Sequence, residues 1–181
     1  CPTNPSGISK SRPRGSESGL GFYLDKKNAV KVGLFPAALA DKIVAVGEIG
    51  LDYYWHKEEA ERKRQQEMFR AQMDNAREEK LPFMIHSRDA AEDTLNIVRE
   101  YMKKDMSGGI IHCFSYSREI AEEYLKMGLY LGIGGVLTFK NAKKLKEVAK
   151  IAPLSQIVLE TDCPYMSPEP YRGKRNSSLN L

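Results

Sequence analysis

The feature that most constrains this chain is a rhythm running from residue 43 to residue 162. Short apolar, β-prone runs alternate there with charged stretches whose apolar residues recur at helical spacing. IVAVGEIGL (43–51) reads as a strand, and a helix over 58–80 follows with Met68, Phe69, Gln72, Met73 and Ala76 on one side. LPFMIH (81–86) reads as a second strand, after which Ala91, Leu95, Val98 and Met102 are spaced for a helix face. GGIIHCF (108–114) precedes a helix opened by Ser117 as N-cap and closed by Gly128 at C′, with Ile120, Tyr124 and Leu125 facing inward. LYLGIGG (129–135) leads to a helix capped by Asn141 and stopped by Pro153, carrying Leu145, Val148 and Ala149 inward. QIVLETD (156–162) is the fifth strand. Near-continuous apolar strands, each but the last followed by a helix, are what successive βα units of a parallel sheet require when both faces are covered. The fold class read here is α/β.

Outside that rhythm, residues 1–21 are rich in Ser, Gly, Pro and Arg and nearly free of apolar side chains, so ordering them costs more entropy than burial returns. They are read as a disordered leader or linker. Residues 22–42 give mixed signals and are grouped with the domain that runs from 22 to 181. The segment 163–181 is punctuated by Pro and Gly, carries a basic cluster, and reads as a loop. Three cysteines, Cys1, Cys113 and Cys163, form an odd count without a CxxC pair, which argues against a disulfide framework and a thiolate zinc finger. No apolar run approaches the ~18 residues of a membrane span, and no export signal is visible. A soluble, cytoplasmic protein is expected. The net charge of +4 accommodates an anionic partner without requiring one.

Four groups of metal-ligand type stand at or near the C-terminal ends of these strands: Glu48, His86, His112 and Asp162. In a β/α barrel those ends and their loops form one face, so residues far apart in the chain converge there. Imidazole and carboxylate are the donors that hold zinc, manganese and similar ions. Two histidines and a bridging Glu48 can hold one ion; Asp162 can complete a neighbouring site or accept a proton as general base. A single histidine would more simply be a core residue with satisfied nitrogens, but two at equivalent strand ends, beside two carboxylates, weigh against that. His56, in the loop YYWHKEE, is read as solvated or substrate-facing rather than as a ligand. Cys113 and Cys163 each adjoin a proposed ligand, and strand alternation turns them to the other face as packing residues. Asp52, Arg88 and Asp89 lie just past strand ends, where helix capping and surface pairing explain them as well as catalysis does.

VAVGEIGLDYY, PFMIHSRDA, GGIIHCFS and IVLETDCPYMSPEPYRGKRN, in that order, resemble the TatD family of metal-dependent deoxyribonucleases, within the amidohydrolase-like metal barrels. The similarity extends over about residues 43–176. It implies a TIM-type (β/α) barrel in which Glu48 bridges two divalent ions, His86 and His112 bind the second and Asp162 binds the first. It also implies DNA as partner, as single strands or 3′ ends, and Zn, Mg or Mn as cofactor. The family's first strand bears a His-x-His pair for the first ion; this sequence has three histidines and no such pair. With that strand and a C-terminal part unmatched, the chain is expected to be a partial barrel holding at most one ion tightly.

Phosphodiester hydrolysis is the leading expectation, impaired in this truncated form, with Asp162 and Glu48 catalytic. Arg88, Tyr165, Arg172, Lys174 and Arg175 would contact substrate. Tyr53, Tyr54, Trp55 and Tyr165 could stack on single-stranded bases or equally pack the barrel mouth. Two alternatives stand beside it: a metal-dependent amide or ester hydrolase such as an aminoacyl-ester deacylase, and a non-catalytic remnant, which the missing His-x-His favours.

Overall fold

The computed structural model describes residues 43–181; the leader read over 1–21 and the mixed stretch to residue 42 lie outside the described residues. Five parallel strands, β1 (Val46–Asp52), β2 (Phe83–Arg88), β3 (Gly109–Ile111), β4 (Tyr130–Ile133) and β5 (Ile157–Leu159), lie side by side in chain order. Four helices connect them: α1 (Glu59–Glu78), α2 (Ala91–Met102), α3 (Arg118–Lys126) and α4 (Lys143–Ile151). A parallel sheet whose spatial order equals its sequence order is wound in one direction only, as in a segment of a TIM-type barrel. The α/β reading stands, with four strand–helix units followed by a fifth strand.

The helix signals work by recognisable chemistry. At the end of α3, Gly128 adopts φ +78°, its N–H donates to the Leu125 carbonyl at 2.9 Å, and the N–H of Leu129 donates to Tyr124 at 3.1 Å. That double closure, with glycine at C′, is the Schellman arrangement that Gly128 suggested. At α4 the cap differs from expectation: Ala142, not Asn141, occupies the N-cap position. A one-residue shift of this kind is the ordinary imprecision of helix ends, and Pro153 still forces Ala152 into extended backbone at the other end.

One sheet face is sealed by the helices. Leu51, Ile85, Ile111 and Leu131 from the strands meet Phe69, Met73, Val98 and Tyr124 from the helices, all essentially without solvent contact. Each fully buried side chain of this size contributes about 1.5–3 kcal/mol of transfer free energy. Because strand residues alternate, Glu48, His86 and His112 follow the opposite parity to Ile49, Ile85 and Ile111, and all three are half-buried. The register fixes their depth. Gly50 pairs with His86 and Asp52 with Arg88, while between Val46 and Ile49 the β1 strand carries one residue more than its partner, a bulge that contains Glu48. The helix-facing side is thus the core, and the other side is left for polar groups.

Among the described residues, no helix is long and apolar enough to cross a membrane.

Candidate metal centre

The four side chains expected to meet do meet. Glu48 Oε1 lies 3.1 Å from His112 Nε2 and 3.6 Å from His86 Nδ1, and His112 Nε2 lies 3.7 Å from Asp162 Oδ1. Two donors sharing a tetrahedral ion at ~2.0–2.2 Å stand roughly 3.3–3.6 Å apart, so these separations suit pairs of ligands on one ion. Among the described residues no group of three donors is already closed around one point. The geometry shows why. Both imidazoles share Glu48 Oε1 as their partner, so a cation between them requires that carboxylate to swing aside. Pair by pair, the donor set suits a divalent ion in type and spacing.

Glu48 is held below its ordinary value, chiefly by the close polar approach of His86, with the positive charges of His112 and His86 adding to this against the opposing effect of burial. His112 shows the reverse balance. Burial disfavours its imidazolium, but the nearby Asp162 carboxylate, the hydrogen bond to Glu160 and the charges of Glu160 and Glu48 outweigh it and push the group up to about 10. A cation binding at Nε2 therefore displaces a proton, and its affinity rises with pH. Burial and the same three carboxylates push Cys113 up to about 12, so it remains a thiol and not a nucleophile.

Two further residues contact the histidines: Glu160, which the sequence reading missed, and Asp52, for which it left capping, surface pairing and catalysis open. Glu160 accepts a hydrogen bond from His112 Nδ1 at 2.8 Å and from the Cys113 backbone N–H at 2.5 Å. By occupying Nδ1 it fixes the tautomer and leaves Nε2 facing Glu48 and Asp162. Gly132 of β4 makes room for it, since a Cβ there would lie 2.5 Å from Glu160 Oε2. No local signal sets it apart, because β5 ends at Leu159 and Asp162, two residues on, adopts φ +49°, so strand alternation does not link the two. Asp52 is the second: its Oδ2 lies 3.5 Å from His86 Nε2, and Gln65 of α1 holds its backbone N–H and carbonyl at 2.8 and 3.0 Å. Replacing Glu160 with Gln retains the shape and removes the charge behind His112. Zinc affinity, measured by chelator competition, is expected to fall ~10–100-fold with little change in melting temperature. An unaltered affinity would mean that Glu160 does not orient the ligand.

Of the residues assigned to substrate, Tyr165, Arg172, Lys174 and Arg175 line one cavity of about 440 Å³, together with Phe139 and Met166. Its shape is fixed by Asn176, 3% exposed, whose Nδ2 donates to the carbonyls of Thr161 and Tyr165, both at 2.8 Å. Arg172 lies with its guanidinium 4.0 Å from the Phe139 ring centre. Arg88 is elsewhere, at the end of β2, 3.9 Å above the Tyr54 ring. Tyr53 does not face the mouth: it is 5% exposed and its hydroxyl donates to Asp93 at 2.7 Å. His56, half-buried beyond β1, joins none of the ion pairs above. The reading of the cysteines as strand residues turned inward fails. β3 and β5 end before them, so alternation no longer applies; Cys113 is half-buried at φ +47°, and Cys163 is exposed.

Comparison with known proteins places these features in a family context. A family model described as TatD related DNase matches residues 22–181. An uncharacterized metal-dependent hydrolase of Bacillus subtilis, YabD, is 51% identical over 136 residues, covering 75% of this chain and 52% of that protein. A protein named 3′-5′ ssDNA/RNA exonuclease TatD, of a Rahnella species, is 34% identical over 152 residues, covering 83% of this chain and 57% of its own. The crystal structure of YJJV, a TatD homologue of Escherichia coli, superposes with a TM-score of 0.67 at 33% identity, covering 75% of this chain and 51% of that one. The chain spans about half the length of the curated relatives it matches.

Proposed function

From the premise that the chain belongs to the TatD related DNase family, we propose that it carries the metal-binding part of a hydrolase acting on phosphodiester bonds of DNA. The observation that carries this reading is the convergence of Glu48, His86, His112 and Asp162 at the C-terminal ends of the strands, with donor separations of 3.1–3.7 Å. A divalent ion held there would supply Lewis-acid polarisation and an activated water. Glu48 and the two imidazoles bind, and Glu160 and Asp52 orient the imidazoles. Asp162, 3.7 Å from His112 Nε2, is placed to ligate the ion or to accept a proton at its carboxylate. Arg172, Lys174 and Arg175 hold phosphates of the substrate beside Tyr165, positioning a strand without reading its sequence. Free thiols at Cys113 and Cys163 accord with a reducing cytoplasm.

The test is a substrate panel: labelled single-stranded and duplex DNA, an aminoacyl ester and a peptide amide, each with magnesium, manganese or zinc. Metal-dependent cleavage of single strands, weakened ~10-fold or more at raised salt and by combined alanine substitution of Arg172, Lys174 and Arg175, is the expected result. Hydrolysis confined to the ester or amide would replace the nuclease reading. Binding of metal without turnover of any substrate would leave the chain as a non-catalytic remnant.

A further inference from the structure

Tyr54 and Trp55 stand immediately beyond β1, with ring centres 4.6 Å apart and planes at 88°. They are 44% and 61% exposed. Arg88, from the end of β2, brings its guanidinium carbon to 3.9 Å from the Tyr54 ring centre and 5.9 Å from that of Trp55. This cluster is built rather than incidental. Asp52 and Arg88 are paired across the sheet, Asp52 Oδ1 accepts the Tyr54 backbone N–H at 3.0 Å, and Gln65 clamps both backbone groups of Asp52. Tyr53 is anchored inward to Asp93 and Gln66, whereas Tyr54 and Trp55, which follow it, are exposed. The other carboxylate oxygen of Asp52 faces His86, so the cluster and the metal centre share a residue.

We propose that Tyr54, Trp55 and Arg88 form a base-stacking subsite for single-stranded nucleic acid. This rests on the nuclease reading and deepens it. A nucleobase presents a π-face to an aromatic ring and to a planar guanidinium alike, whatever its identity, and Arg88 adds the positive charge that a neighbouring phosphate needs. The subsite follows the β1 and β2 edge of the sheet, whereas the basic cavity follows β4 and β5 at the other edge. With adjacent strands ~4.8 Å apart, four inter-strand steps separate the outermost strands, so a ligand using both sides of the metal centre is an oligonucleotide and not a single nucleotide.

Trp55 is the sole tryptophan of the chain, so its emission reports on this subsite alone. The 181-residue chain, kept metal-free with EDTA, is titrated with a short oligothymidylate, an abasic phosphodiester strand of the same length, and thymidine monophosphate. The oligothymidylate is expected to quench Trp55 and to bind ~10-fold or more tighter than the abasic strand. The monophosphate should bind far more weakly than the oligonucleotide. By anisotropy of a labelled strand, Trp55→Phe should retain the preference for bases, whereas Trp55→Ala and Arg88→Ala should each erase most of it. Equal affinity for the two strands, without quenching, would overturn the proposal. In a parallel assay with manganese in place of EDTA, cleavage at equal rates on both strands would reject the subsite while keeping the hydrolase. Base-dependent quenching without cleavage would keep the subsite and reject the hydrolase.

Discussion

Glu48→Gln is expected to lower the affinity for zinc or manganese by more than ~100-fold, beyond the ~10–100-fold typical of losing a residue that merely supports a ligand. The reason lies in its position. A single oxygen of Glu48 faces both His86, at 3.6 Å, and His112, at 3.1 Å, so it is the one donor that both imidazoles share. Its carboxylate is stabilised in the charged form by those same imidazoles, which a glutamine amide cannot reproduce. The substitution keeps side-chain volume, and Glu48 belongs to the polar side of β1, so the fold should persist by circular dichroism. A loss of less than tenfold would place the ion somewhere other than beside Glu48.

Gly50→Ala should be the most damaging single change to the sheet, destabilising the chain by about 2–6 kcal/mol in urea unfolding. Gly50 holds φ +136°, which residues with a Cβ rarely adopt, and that Cβ would run into the His86 carbonyl oxygen and lie 3.2 Å from the His86 nitrogen. Strand β2 would have to retreat from β1 at the very pair that sets the height of His86 opposite Gly50. Gly108→Ala provides the control: φ is again positive, at +85°, but nothing lies within 4 Å, so backbone strain alone of about 1–3 kcal/mol remains. Equal losses for the two variants would show that contact with His86 does not matter.

What the sequence made legible, and what it hid, follows from the range of the interactions involved. The core strands and helices were visible because a buried parallel strand must be apolar along its length and a helix resting on it must repeat its apolar residues every three or four positions, as at Phe69, Gln72, Met73 and Ala76. Strand ends were less visible. β3 ends at Ile111 and β5 at Leu159; His112 and Glu160 still donate their backbone N–H groups to Ile85 and Ile133, but the chain turns left-handed at Cys113 and Asp162, so the runs 108–114 and 156–162 read longer than the strands they contain. His86 and His112 could be found by type and position. Glu160 could not be distinguished from a surface carboxylate, since its role depends on the absent side chain of Gly132, on a neighbouring strand. Tyr53, Tyr54 and Trp55 looked equivalent in sequence; only Asp93 and Gln66, supplied by two helices, draw the first inward and leave the others exposed.

Whether Glu48, His86 and His112 hold one ion is decided by anomalous diffraction from crystals of the chain grown with zinc or manganese. The expected result is one strong peak ~2.0–2.2 Å from a nitrogen of each histidine and an oxygen of Glu48, with the Asp162 carboxylate at or beside it. A peak lying outside this cluster, or one touching only a single member of it, would show that these three side chains do not share an ion.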